Sequence, residues 1–182
     1  HSFPTRRSSD LVASITAIAD SPEATPIRIV ADGPRAWRVE HAPGQRVRCS
    51  YFIRPVGRDK PVQGNDYRST VSPDLVQIIG HLALAYPEHL RSPDPRTILV
   101  DLSGLDRPDW AVASSFGPGP GPRTVRMPGD KFLHSTIVAG RGRLIERTVG
   151  ANRVGVYVHH DGFDFDHDRF ADLCPRIIDT ER

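Results

Sequence analysis

Arg46-Val47-Arg48-Cys49-Ser50-Tyr51-Phe52-Ile53-Arg54-Pro55, written RVRCSYFIRP, carries the clearest period-two pattern in the chain. On an extended backbone Val47, Cys49, Tyr51 and Ile53 face one way. Arg46, Arg48, Ser50 and Arg54 face the other. Such alternation puts one face on a core and the other in solvent or a groove, so the stretch predicts a half-buried β-strand with Cys49 turned inward.

The same pattern recurs on both sides, separated by Pro, Gly and Asp clusters, as in a β-sandwich. Val12 to Asp20, VASITAIAD, reads as a strand closed by the turn-rich SPEATP, and Ile27 to Val30 resumes it. After the turn ADGPR, AWRVEH alternates Trp37 and Val39 with Arg38 and Glu40. The polar stretch from Val56 to Asp66 is a loop. TILVDLSGL buries Ile98, Val100 and Leu102, and DWAVASSFG follows it. Gly117 to Pro122, GPGPGP, lacks both G-x-G-x-x-G and G-K-[ST], and its prolines remove amide donors that a phosphate would need. It reads as a stiff surface connection.

One segment fits two periods. In SPDLVQIIGHLALAYPE, Ser72-Pro73-Asp74 resembles an N-cap with proline at the first helical position, while Leu82, Leu84 and Tyr86 alternate. The expectation is a short helical turn from Pro73 to Ile79, then a strand from His81 to Tyr86.

After Gly140 the pattern changes. RLIERTV and RVGVYVHH read as a strand pair joined by GAN, with Val154, Val156 and Val158 on the buried side. DFDHDRFADLCPRIIDTER then reads as an amphipathic helix capped by Asp166, with Asp168 in its first turn. Its apolar stripe is Phe170, Leu173, Ile177 and Ile178, and Pro175 is expected to kink or break it. The fold class is mainly β. Residues 12–140 form a β-sandwich-like domain, and residues 141–182 form the first strands and helix of an incomplete α+β domain. Residues 1–11, HSFPTRRSSDL, show neither period and no signal-peptide h-region. Back-translated one way they match a short-read sequencing adapter, so they are expected to be an artefact. The chain is then a fragment of a longer protein, its own N-terminus missing and its last helix cut at Arg182.

Composition excludes several classes. Of 24 Lys and Arg only Lys60 and Lys131 are lysines, and the formal net charge is +2. The arginines are scattered through strands, which argues against a nucleic-acid surface. No apolar run reaches the length of a membrane span. Cys49 and Cys174 give neither a disulfide framework nor a C-x-x-C pair, and both read as buried thiols.

HHDGFDFDHD gathers His159, His160, Asp161, Asp164, Asp166, His167 and Asp168, ligand types that suit a transition metal. No H-x-x-x-H pair supplies two ligands from one helix face, and in an EF-hand frame starting at Asp164 the twelfth position is Pro175. A turn leading into an acid-rich helix N-terminus explains the segment without a metal. Ser114 and Ser115 lie outside any G-x-S-x-G elbow. His41, His81, His89 and His134 read as surface or satisfied residues. No catalytic, cofactor-binding or metal residue is assigned.

Three stretches together resemble a family: DYRSTVSPDLVQIIGHLALAYPEHL, DWAVASSFGPGP, and FLHSTIVAGRGRLIERTVGANRVGVYV with the acid-capped helix after it. Their order is similar to that in the N-terminal part of glycyl aminopeptidase-like zinc metallopeptidases, over most of residues 12–182. In STIVAGRGRLIERTV the Asp or Phe common after the first Gly is replaced by Arg141 and Gly142. The resemblance implies a β-domain packed on a thermolysin-like catalytic domain with H-E-x-x-H and a distal Glu. That helix holds zinc, and its Glu acts as general base on zinc-bound water. No H-E-x-x-H occurs between Val12 and Arg182, so no catalytic residue carries over and the chain alone is expected to be inactive.

Zinc is expected in the parent, as are two partners: the chain's own downstream catalytic domain and peptide substrates. The helix stripe should then be partly uncovered, leaving unused some of the about 1.5–3 kcal/mol that each apolar side chain gains on burial. Poor solubility or self-association should follow. The alternative is a β-sandwich binding module of a surface or periplasmic protein, with Arg46, Arg48 and Arg54 along a polar face.

Overall fold

The computed structural model describes residues 12–33, 36–53, 69–88, 91–159 and 165–180. The architecture is mainly β, as the alternating pattern requires. Strands β1 (Val12–Ala19) and β4 (Val47–Ile53) pair antiparallel, and β2 (Ile29–Ala31) pairs with β3 (Trp37–Val39). The largest sheet has five strands: β5 (Thr70–Val71), β6 (Leu75–Ile79), β8 (Trp110–Ser114), β10 (Thr136–Val149) and β11 (Asn152–His159). A further pair, β7 (Pro95–Val100) with β9 (Arg123–Pro128), lies over it.

Strand β10 organises the molecule. Residues Ile137 to Gly140 pair with β6 and with β8, and Gly142 to Val149 pair with β11. It runs unbroken past residue 140, across the boundary expected there. Its inward residues Ile137 and Ala139 meet Ile78, Val100, Leu102 and Val112 in the main core, with Val125 and Phe132 packed against them. That cluster brings the β7–β9 pair and the five-stranded sheet together as two layers.

The segment from Ser72 to Tyr86 reverses its expected order. Leu75–Ile79 is strand, and the short helix α1 is Gly80–Ala83. Ser72 does not cap a helix: its hydroxyl accepts from Leu75 N at 3.1 Å and donates to Leu75 O at 3.2 Å, closing the turn from β5 to β6. With β5 on one edge and β10 on the other, β6 has both edges occupied, which outweighs local helical spacing. Gly80 then permits a close approach. Its N–H donates to Ser135 O at 2.8 Å, and a Cβ there would stand 2.5 Å from the carbonyl oxygen of Leu133, the last residue of α2 (Gly129–Leu133).

The C-terminal pattern matches expectation in most respects. The turn at Gly150 and Ala151 joins β10 to β11, with Gly150 at φ +58°. Helix α3 (His167–Thr180) starts where Asp166 Oδ1 accepts from Arg169 N at 2.9 Å. It continues through Pro175, so the expected break does not occur. The face buried on the sheet is centred on Ala171, which meets Ile145, Val156 and Val158. Phe170 and Leu173 of the expected stripe each remain 46% exposed, while the side chains of Ile177 and Ile178 lie outside the described residues.

Cys49 also departs from expectation. It faces the same way as its partner Ala17, which is buried, yet Cys49 is exposed. The main core reaches β4 only at Ile53, so nothing from that cluster covers Cys49. Cys174 is half-buried, its thiol donating to Phe170 O at 3.6 Å. Among the described residues no helix is long and apolar enough to cross a membrane.

Candidate functional site

Polar chemistry concentrates where α3 lies on the β10–β11 hairpin. Arg143 and Arg147, four residues or two strand periods apart on β10, point toward the helix. Arg143 Nη1 meets Asp168 Oδ2 at 3.0 Å, Arg147 Nη2 meets Asp168 Oδ1 at 3.2 Å, and Arg147 Nε meets Asp172 Oδ1 at 2.6 Å. Asp168 and Asp172 are one helical turn apart, so the two arginines grip one side of the helix. Hydrogen bonding to Asp172 and then to Asp168 raises the pKa of Arg147. The Arg147 hydrogen bond, against the opposing effect of desolvation and with help from Arg143, holds the Asp168 carboxyl below its ordinary value. Glu146 pairs separately with Arg153 across the hairpin at 2.7 Å.

The His and Asp residues singled out in the sequence are thus dispersed among structural tasks. Asp166 caps α3, Asp168 is held by arginine, and the His167 ring stands edge-on to Phe165 with centroids 4.5 Å apart. His159 ends β11, half-buried. His160, Asp161 and Asp164 lie outside the described residues. Among the described residues no group of three or more His, Cys, Asp or Glu is placed to hold a metal ion.

On the opposite face of β11 from Val156 and Val158, the Tyr157 ring fills the space left by two glycines. A Cβ at Gly140 would stand 3.0 Å from its hydroxyl, and one at Gly142 would stand 2.8 Å away. Gly140 would also meet Asp74 O at 2.3 Å, and Gly142 would meet Val158 O at 2.5 Å. The Gly-Arg-Gly sequence at 140–142 is therefore a packing requirement, and Arg141 between them reaches Asp74 at 3.6 Å. The Tyr157 hydroxyl is buried with no hydrogen-bond partner among the described residues, and burial pushes its pKa up. It stays a neutral phenol at ordinary pH. Only the glycine spacing hinted at this notch, because the tyrosine that fills it lies 15 residues beyond Gly142.

Other candidates are engaged locally. Ser114 Oγ donates to Gly117 O at 2.8 Å and accepts from Phe116 N, while Ser115 Oγ accepts from Thr136 N at 2.9 Å. These bonds build the turn after β8, where Gly117 and Gly119 take positive φ and the Arg123 guanidinium donates to the Gly119 and Gly121 carbonyls. Arg46 and Arg48 both pair with Asp20, at 3.3 and 2.7 Å, so that polar face is partly neutralised. Arg54 lies outside the described residues, as does His89. His41 is exposed and its Nδ1 donates to Ala42 O at 2.9 Å. His81 and His134, also exposed, lie with ring centroids 6.0 Å apart. An open cleft of about 610 Å³ runs between Tyr86 and Phe132 and along Pro95 to Ile98.

No family model matches the sequence, and no curated protein matches it. Among solved structures, the fold is similar to the crystal structure of an aminopeptidase N family protein from Idiomarina loihiensis. The TM-score is 0.66 at 12% identity, over 94% of this chain and 28% of that one. The chain therefore spans little more than a quarter of the length of that protein. What the two share is the mainly β fold of nearly all of this chain.

Proposed function

We propose that this chain is the non-catalytic, β-rich front of a zinc aminopeptidase. It would cover one side of the substrate cleft beside a catalytic domain encoded downstream. One observation carries the reading: 94% of the chain superposes on part of an aminopeptidase N family protein, with an architecture the sequence patterns also predict. The hairpin β10–β11 and helix α3 add support, since a binding module has no need of them whereas a metallopeptidase begins its second domain that way. The described residues do not fit zinc, as no metal-holding group of three forms among them. The role proposed for them is to shape the cleft, and the metal chemistry is assigned to the downstream part.

The test is to recover the reading frame beyond Arg182, express the longer protein, and assay aminoacyl-coumarin hydrolysis with and without a zinc chelator. The expected result is an H-E-x-x-H with a distal Glu, chelator-sensitive aminopeptidase activity, and none from the 182-residue chain by itself. A frame that ends without that motif would overturn the proposal and leave the binding-module reading in its place.

A further inference from the structure

We propose that His81 and His134 form a two-histidine chelate for a borderline divalent transition metal, of which Cu(II) binds most tightly. The pair is separated by 53 residues in sequence and is brought together by the contact between α1 and α2. His81 lies in α1, and His134 directly follows the last turn of α2. The contact is close because residue 80 has no side chain: Gly80 N–H bonds Ser135 O at 2.8 Å, and no Cβ separates it from the Leu133 carbonyl. Ala83 and Leu133 are buried beneath, at 3% and 6% exposure. The backbone under both histidines is thus fixed, while both rings stand in solvent.

The ring separation is within the reach of one shared ion. Two metal–nitrogen bonds of about 2.0–2.1 Å set imidazole centroids roughly 4.5–6.5 Å apart as the angle at the metal opens from square to nearly linear. The observed separation is 6.0 Å with the rings inclined at 57°. A small χ1 adjustment in exposed side chains closes the angle further. Among the described residues neither ring makes a hydrogen bond or ion pair, so a nitrogen of each is open to coordination. No third His, Cys, Asp or Glu among them joins the pair, so water completes the coordination sphere. Imidazole nitrogen favours Cu(II) over Ni(II) and Zn(II) in the ordinary stability order. The proposal does not depend on the aminopeptidase reading.

The full 182-residue chain is titrated with Cu(II), then Zn(II), by calorimetry, alongside His81→Ala, His134→Ala and His41→Ala variants. One Cu(II) site tighter than that for Zn(II) is expected, weakened roughly tenfold or more by either His81→Ala or His134→Ala because a chelate needs both arms. The His41→Ala control should leave it unchanged. In the unaltered chain, substoichiometric Cu(II) should broaden the His81 and His134 ring resonances together, which keeps the test independent of how the variants fold. Broadening of one ring without the other, or retention of the site in either single variant, would overturn the proposal.

Discussion

The two halves of β10 are held by different forces. Around Ile137 and Ala139 the strand has neighbours on both edges and a second layer above it, and its inward side chains are almost wholly removed from water. Around Ile145 it carries one hairpin partner and a helix whose apolar contact narrows to Ile145, Val156, Val158 and Ala171. Beyond that small cluster the helix contact is made of exposed Arg–Asp pairs, which contribute little in water. The first half is a core in the ordinary sense. The second is a docked element, and α3 should open well before the sheet does.

Matched substitutions on the one strand test that contrast. Ile137→Ala should cost the most, about 2–5 kcal/mol, and should unfold the whole chain at lower urea, because the strand it weakens is common to both parts. Ile145→Ala removes the same atoms from the smaller cluster. It should cost about 2–3 kcal/mol, with α3 amides losing protection from hydrogen exchange while β6 and β8 keep theirs. Equal loss of protection in both regions would show that they form one cooperative unit and erase the distinction.

Smaller effects sharpen it. Arg147→Ala removes the contacts to both Asp168 and Asp172, so α3 amides should exchange several-fold faster at low salt. At high salt the variant and the original should converge. Because Arg147, then Arg143, depress the folded pKa of Asp168 against desolvation, its stabilising effect is fully present above about pH 4, the ordinary aspartate range. It is lost as pH falls through the depressed folded value. Protection of α3 should therefore decline on acidification below that point and stay flat above it. The smallest effect is expected for Leu173→Gln on the outward face of α3. Stability should change by no more than about 0.5 kcal/mol, while self-association at high concentration should fall.

Much of this was legible in the sequence where a pattern depends on neighbours along the chain. The hairpin declared itself through alternating valines and the Gly-Ala-Asn turn. The start of α3 was marked by Asp166, whose carboxylate meets Arg169 N. The absence of H-E-x-x-H needs no coordinates to establish. The candidate sites were less legible: the Tyr157 notch and the His81–His134 pair join residues far apart in sequence, and no spacing rule connects them.

Period and capping chemistry act over one turn or one pleat, so the sequence by itself determined a mainly β chain, its principal strands and a capped terminal helix. Tertiary structure decided what those patterns were used for. Leu75–Ile79 became a strand because β5 and β10 occupy both of its edges, although its local spacing also fits a helix. Cys49 emerged into solvent because the core layer reaches β4 only at Ile53. Pro175 was accommodated within α3, which continues to Thr180. In the first two cases the deciding term is what a distant part of the chain supplies, strand partners for Leu75–Ile79 and no cover for Cys49, which no local pattern records.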